Sequence, residues 1–446
     1  MSLLFKCFPV YILFIALSNA CAQDSLLVPL QTSEVPDSAF IVDNIILTGN
    51  THTKDFVILR EMTLKHGAPI TQRLLEYDKN RIYSLGLFNQ VELRIAPSRE
   101  SLATVMVAVY ERWYIFPYPI FGFRDRDWSK VYFGVGILHE NFRGRNEKVF
   151  FNLVFGYDPS ARFTYRNPFL SEDGNNFFEV SAGFSKVRNR SLEAQNGTDN
   201  FDEHHYSGSL TWGKRFGLPH TLGLTMGYEI VDVSDVVPVK TLSPDGIDKF
   251  PIFSVAYAYD TRDVREYATH GTYIRASATK YGFPGHDVDV VRYTGDIRKY
   301  IPLIENFVLT ARTFTNLAGG GIIPSYNRVY FGYGDRIRGH FKEVMEGEQI
   351  FGISSELHYP ILSPIYFKVG ILPTEFSVWR FGITAAVYGD AGTVWFRGEP
   401  FALNQFSKGY GIGLDFLLPY SAVVRLEYAW NEVRRGEFIF DIGAAF

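Results

Sequence analysis

The chain has 446 residues, with 44 Lys and Arg against 48 Asp and Glu, and this net charge of −4 argues against a nucleic-acid partner. Its 39 Phe, 27 Tyr and 39 Gly suit an aromatic-girdled β-barrel in lipid. Both cysteines, Cys7 and Cys21, sit near the start, which leaves the rest of the chain without a disulfide framework, a Cys-based metal site or a thiol nucleophile.

Residues 1–22 read as a secretory signal: Lys6 supplies the positive region, 10–17 the apolar run, and Ala20-Cys21-Ala22 a cleavage site before Gln23. The rival reading lipidates Cys21, but Ser18 stands where a lipobox wants Leu, which favours ordinary cleavage. No later run approaches the roughly eighteen apolar residues of a spanning helix. Export without such a helix predicts the outer membrane of a Gram-negative cell. Residues 23–39 are polar and Pro-containing, a flexible lead-in.

A small α/β domain is expected over 40–112. Residues 40–47 alternate as a strand and stop at Gly49-Asn50. Thr53 caps a helix running through Leu64 to Gly67, and Thr71 caps a second, with Leu74, Leu75, Ile82 and Leu85 as its apolar stripe, ending at Gly86. Residues 91–97 and 102–110 then read as strands.

From Trp113 to the end, period-two alternation predicts a transmembrane β-barrel of about sixteen antiparallel strands, the first near 113–123. In 409–418, Tyr410, Ile412, Leu414 and Phe416 face outward against Gly409, Gly411, Gly413 and Asp415. In 422–430, Val423, Arg425, Glu427 and Ala429 take the opposite phase to Val424, Leu426 and Tyr428. The last ten residues put Phe438, Phe440, Ile442, Ala444 and Phe446 on one face and Glu437, Ile439, Asp441, Gly443 and Ala445 on the other. A soluble sandwich or propeller also alternates, but no blade-length repeat is visible and the outward faces are too apolar. With the small domain periplasmic, short connections such as 217–220, 302–306 and 419–421 fall on one side. Long ones such as 186–205, 232–250 and 316–348 fall on the other. Two connections break the rule, 361–380 by its length and 158–160 by its shortness.

Residues 40–111 resemble a POTRA domain, through "IVDNIILTGNTHTKDFVILREM", "RIYSLGLFNQVELRI" and "VMVAVYER". The remainder resembles the barrel of the BamA/TamA outer-membrane assembly and translocation superfamily, the bacterial surface antigen family. Its marks are "HENFRGRNEKV", "YDTRDVREYATHGTYI", "YGDRIRGHF", "VYGDAGTVW" and the ending "FIFDIGAAF". This chain departs from the family in having one POTRA-like unit and in placing His340, then Phe341, where the family has an aromatic after Arg-Gly.

The resemblance implies that Arg338 and Gly339 form the tip of a long loop folded into the barrel, where Arg338 meets lumenal acids. Strand phase supplies two of them. Asp390 shares phase with Tyr388, Ala386 and Thr384, and Glu356 with Gly352, Ser354 and His358, opposite their apolar neighbours. A guanidinium holds a carboxylate bidentately, and Gly339 suits a tight turn. Phe438, Phe440, Gly443 and Phe446 carry the closing-strand signal that the family implies.

His204-His205 reads as a solvent-facing pair in a polar loop, and Gly319-Gly320-Gly321 as loop flexibility. No catalytic motif, phosphate-binding loop or metal signature is present in the sequence, so neither an enzyme nor a cofactor is expected. The family implies assistance to insertion, assembly or translocation of proteins at the outer membrane. Client strands would pair with the POTRA unit and pass a seam between the first and last barrel strands, with the lipid bilayer, extended client proteins and periplasmic or lipoprotein accessory factors as partners. A passive pore or structural barrel, and lipid or glycolipid export, are the alternatives.

Overall fold

The computed structural model describes residues 40–99, 101–124, 129–172, 174–191, 193–194, 201–233, 241–264, 267–304, 306–371, 378–419 and 422–443. The expected signal and lead-in, and Phe446, lie outside the described residues.

The small domain runs β1 (Ile41–Thr48), α1 (Asp55–Leu59), α2 (Gln72–Tyr83), β2 (Phe88–Arg99) and β3 (Leu102–Glu111). Its sheet has the order β1-β3-β2, with β1 parallel and β2 antiparallel to the central strand. The helices cover one face, burying Val57, Ile58, Leu75 and Ile82 against Val42, Val91, Val105 and Val107. Thr71 caps α2, its hydroxyl accepting from the Leu74 N–H at 3.2 Å.

The first helix is shorter than the sequence predicts, ending at Leu59, not Leu64. The N–H groups of Thr63 and Leu64 donate instead to the carboxylate of Asp78 on α2, at 2.8 and 2.9 Å, and this satisfies them outside a helix. Nor does Thr53 cap it. Its N–H donates to Glu111 at 2.7 Å and its hydroxyl accepts from Asn141 at 2.9 Å.

The barrel strands are β4 (Ile115–Phe123), β5 (Val131–Phe142), β6 (Glu147–Gly156), β7 (Ser160–Asn167), β8 (Asn176–Arg188), β9 (Asp202–Phe216), β10 (His220–Asp232), β11 (Ile247–Asp260), β12 (Gly271–Gly282), β13 (Asp289–Ile304) and β14 (Phe307–Gly320). A two-stranded ribbon, β15 (Val329–Phe331) and β16 (Met345–Gly347), interrupts them, and β17 (Gln349–Lys368), β18 (Val378–Trp395), β19 (Ser407–Leu418), β20 (Ala422–Asn431) and β21 (Gly436–Ile442) complete the set. These form one 16-stranded antiparallel sheet in sequence order, apart from the ribbon. The period-two reading sets its faces: Phe438 and Phe440 are 62% and 52% exposed on the outside, and Ile439 between them is fully buried. Among the described residues, no ladder joins β4 to β21.

Four details depart from the sequence reading. The first barrel strand begins at Ile115, not Trp113. The stretch 361–380 is mostly strand, because β17 continues to Lys368 and β18 starts at Val378. Register shifts at Pro360/Leu362 and Leu362/Ile365 break the alternation there and disguise the strand as a connection. Gly319 and Gly320 close β14 and only Gly321 lies beyond it. His204 and His205 lie in β9, where His205 sits between Glu203 and Glu229, at 3.2 and 3.1 Å, rather than facing solvent from a loop.

The small domain docks on the short-turn end of the barrel. The Lys54 N–H donates to the Gly144 carbonyl at 2.9 Å, and Arg60 lies 3.6 Å over the ring of Phe169. Glu61 is held between Arg81 of α2, at 2.6 Å, and Arg215 at the end of β9, whose second nitrogen lies 3.0 Å away. Burial alone would raise the Glu61 pKa, but Arg215 and Arg81 outweigh it and hold the carboxyl at about 2, against an ordinary 4.5.

Candidate functional site

The loop 321–348 joins β14 to β17 and crosses the barrel interior. At its base Arg292 of β13 donates to the Asn316 side chain and the Glu348 carbonyl, both at 3.1 Å, and to Asn327. Tyr326 donates to Asp248 of β11 at 2.6 Å. From these holds the loop reaches the far wall, where its tip rests on β17 to β21.

Arg338 is buried at that tip. Its Nε and Nη2 donate to the two oxygens of Asp390, at 2.7 and 2.6 Å, a bidentate pairing that fits the planar fork. Its backbone N–H adds a third bond to Asp390 at 3.1 Å. Nη1 donates to Glu356 of β17 and, at 3.0 Å, to Glu427 of β20. The guanidinium carbon lies 3.6 Å over the ring of Tyr388. One cation thus joins three strands.

Gly339 has φ +99°, and a Cβ there would meet the Trp430 carbonyl oxygen at 2.7 Å, so two constraints call for glycine. Its N–H donates to Glu437 of β21 at 2.9 Å. His340, where the family has an aromatic, lies between Glu343 and Glu432, both at 2.7 Å, and Phe341 packs inside with Tyr388, Ala429 and Ile439.

A second cluster continues from the first. The Nε2 of His358 lies 3.0 Å from Glu356, and its Nδ1 lies 2.5 Å from the hydroxyl of Tyr267. That hydroxyl also donates to Asp415 of β19 at 3.2 Å. Tyr267 comes from the turn between β11 and β12, at the end where the small domain docks. Arg425 of β20 ties Glu427 to Asp441 of β21, at 3.3 and 2.6 Å. Polar contacts therefore run from that turn, through the loop tip, to the last strand.

The structure brings together Arg338, Gly339, Asp390 and Glu356. Phe438 and Phe440 point outward, away from them, and Gly443 donates its N–H to Val423 at 2.6 Å. Sequence reasoning did not select Glu427, Glu437, Tyr388, Tyr267, His358 or Asp415. Glu427 and Glu437 carried the same signal that marked Asp390, an acid on the inward phase of a barrel strand. Tyr267 lay within the family motif YDTRDVREYATHGTYI, but a turn has no period to show that it points into the lumen.

The fold and site define an outer-membrane type of β-barrel with an inward-folded loop and a POTRA unit at one end. The Omp85 superfamily domain matches residues 141–446, and the surface antigen variable number repeat, POTRA, matches 40–112. The chain belongs to the Omp85 superfamily. It is 24% identical over 316 residues to the outer membrane protein assembly factor BamA of Nitratidesulfovibrio vulgaris, a match covering 67% of this chain and 37% of that protein. The chain thus spans about a third of that relative's length. In fold it is similar to BamA from Haemophilus ducreyi lacking POTRA domains 1–3, with TM-score 0.52 and 17% identity over 90% of this chain and 83% of that one. It is also similar to CdiB from Escherichia coli, with TM-score 0.51 and 11% identity over 96% and 93%.

Proposed function

We propose that this protein assists the insertion of other proteins into the outer membrane, or their translocation across it, and that it is not an enzyme. The carrying observation is a 16-stranded sheet whose two end strands share no ladder among the described residues, although every internal neighbour pair does. A strand edge in lipid calls for a main-chain partner, and an extended client strand can supply one. The POTRA unit lies in the periplasm, where its own outer strands β1 and β2 offer main-chain groups to clients before they reach the seam. Membership of the Omp85 superfamily and the likeness to an assembly factor support this reading. A loop that crosses the interior and is held by a buried ion cluster fits a passive pore poorly. Accessory periplasmic or lipoprotein factors are part of the proposal.

The test is a cysteine pair across the seam, one at the outward-facing Ile115 and one at Phe438 or Phe440, in cells depleted of the native protein. Neighbouring strands bring Cα atoms within the roughly 7 Å that a disulfide requires. Oxidation should lower the set of assembled outer-membrane proteins, and reduction should restore it. Full assembly with a demonstrably locked seam would overturn lateral passage. An unchanged set of outer-membrane proteins on depletion would overturn the function itself.

A further inference from the structure

On β7 to β10 the inward face is marked by hydroxyl pairs, Thr164 with Ser181 at 3.2 Å and Thr211 with Thr225 at 2.8 Å. The alternate residues therefore face lipid. Among them Phe163, Tyr206 and Tyr228 are 42%, 47% and 50% exposed. Strand register sets Phe163, Ala182, Gly208 and Tyr228 side by side, with Ala161, Phe184 and Tyr206 in the next row. The outer wall holds here an apolar groove of about 480 Å³, floored by Ala161, Ala182 and Gly208 between the rings of Phe163, Phe184 and Tyr206. Phe184 and Tyr206 support one another with ring centroids 5.1 Å apart. A Cβ built on Gly208 meets nothing within 4 Å, so the floor is open.

The groove leads to a rim of cations at the end of the barrel away from the small domain. Lys186, two residues beyond Phe184, shares Asp202 with Arg188, at 2.9 and 3.3 Å. Two cations on one carboxylate leave a positive charge over. The Lys186 N–H donates to the Pro159 carbonyl at 2.9 Å, which places this pair at the mouth of the groove beside Ala161. On β11, exposed Lys249 stands opposite Ile230 in the row of Phe184 and Tyr206, and makes no ion pair among the described residues. The other acids of this rim are Asp158, which pairs with Arg124 at 2.8 Å, and Asp232, opposite His204. Lys186 on β8 and Lys249 on β11 are three strand spacings apart, roughly 14 Å.

We propose that the groove and its rim bind a bis-phosphorylated glycolipid of the outer leaflet. One acyl chain lies along Ala161, Ala182 and Gly208, one phosphate meets Lys186 and Arg188, and the other meets Lys249. The groove faces the bilayer, which supplies acyl chains, and the rim lies on the side opposite the POTRA unit, where the outer leaflet has its headgroups. Arginine grips phosphate through its fork and lysine as a point charge. A disaccharide with a phosphate at each end reaches both cation sites at once, whereas a lipid with one phosphate engages one of them. The proposal requires a barrel in the outer membrane and is independent of what that barrel assembles or moves.

The test is native mass spectrometry of the purified full chain released from detergent micelles. The probes are lipid A, the bis-phosphorylated diglucosamine lipid of Gram-negative outer leaflets, and phosphatidylglycerol, with one phosphate. Lipid A should fill its first site on the order of tenfold more tightly than phosphatidylglycerol. Lys186→Gln and Lys249→Gln should each weaken lipid A about fivefold. Gly208→Phe puts a ring into the open floor and should remove the preference for lipid A, while Val255→Phe, outward on β11 and outside the groove, should match the unaltered chain. Heat-dependent gel mobility verifies that each barrel is folded. Equal affinity for the two lipids in the unaltered chain would overturn the proposal. So would lipid A binding that neither lysine variant weakens, or that Gly208→Phe leaves as strong as Val255→Phe does.

Discussion

Glu437, on the last barrel strand, accepts the backbone N–H groups of both Gly339 and Phe341, at 2.9 and 2.8 Å. A single carboxylate oxygen therefore ties the loop tip to the strand that borders the seam. Glu437→Ala should release the tip at β21 while Arg338 still holds it at β18. Limited proteolysis of 321–348 in the folded barrel should then be faster, with β21 more readily labelled. Glu437→Gln retains a neutral acceptor and should show a smaller change. Unchanged proteolysis in Glu437→Ala would contradict the tie.

Arg338 and Asp390 share a bidentate contact in a buried setting, and removing Arg338 strands Asp390, Glu356 and Glu427 together, whereas removing Asp390 leaves the guanidinium with Glu356 and Glu427. Arg338→Ala should destabilise the loop by on the order of 3–5 kcal/mol, and Asp390→Ala by less. The double variant should cost clearly less than the two together, because both remove one interaction. Arg338→Lys should rescue poorly, since an ammonium cannot reach Asp390, Glu356 and Glu427 at once. Urea midpoints of loop protease protection across the four proteins measure this, and additive losses would refute the pairing.

Gly409 of β19 lies under the tip, and a Cβ built there lands on the Arg338 carbonyl oxygen, which is backbone and cannot swing aside. Gly409→Ala should expel the tip without removing any charge or hydrogen-bonding group. Its loop should be as protease-sensitive as that of Arg338→Ala, with heat-modifiable migration retained. Wild-type protection in Gly409→Ala would mean that the tip does not seat on β19.

Glu61 joins the POTRA unit to the barrel through Arg215. Its carboxyl is held at about 2, below the ordinary 4.5. A depressed carboxylate pKa stabilises the folded form above the unperturbed value, and that contribution is lost as pH falls from about 4.5 toward 2. Protease resistance of the junction between POTRA unit and barrel should decline over that window. In Glu61→Gln it should be low already at neutral pH and flat across the window. A wild-type profile in Glu61→Gln would remove Glu61 from the docking.

Strand phase made much of the barrel and half of the lumenal cluster legible. Asp390 and Glu356 declared themselves as acids on an otherwise small or polar inward face, and the family's Arg-Gly pair supplied the cation. Glu427 and Glu437 lay on equally inward phases. Which inward acids a loop tip reaches depends on where the loop is held at its base, by Arg292 and Asp248, and that is long-range information. The same applies to the end of α1, set by Asp78 from another helix, and to Tyr267, set by a turn that enters the lumen. Where β17 bulges around Pro360 and Leu362, the period itself failed, and a strand read as a connection.

Every partner of the Arg338 side chain, and the Glu437 that holds its neighbours, follows it in the sequence: Glu356, Asp390, Glu427 and Glu437 come after the loop. A chain made from its N-terminus presents the guanidinium before any of its acceptors exists. A chain cut before β17 therefore keeps the guanidinium and loses all four acids, whereas one cut before β21 keeps the whole cage of Arg338 and loses only the carboxylate that holds the backbone of Gly339 and Phe341.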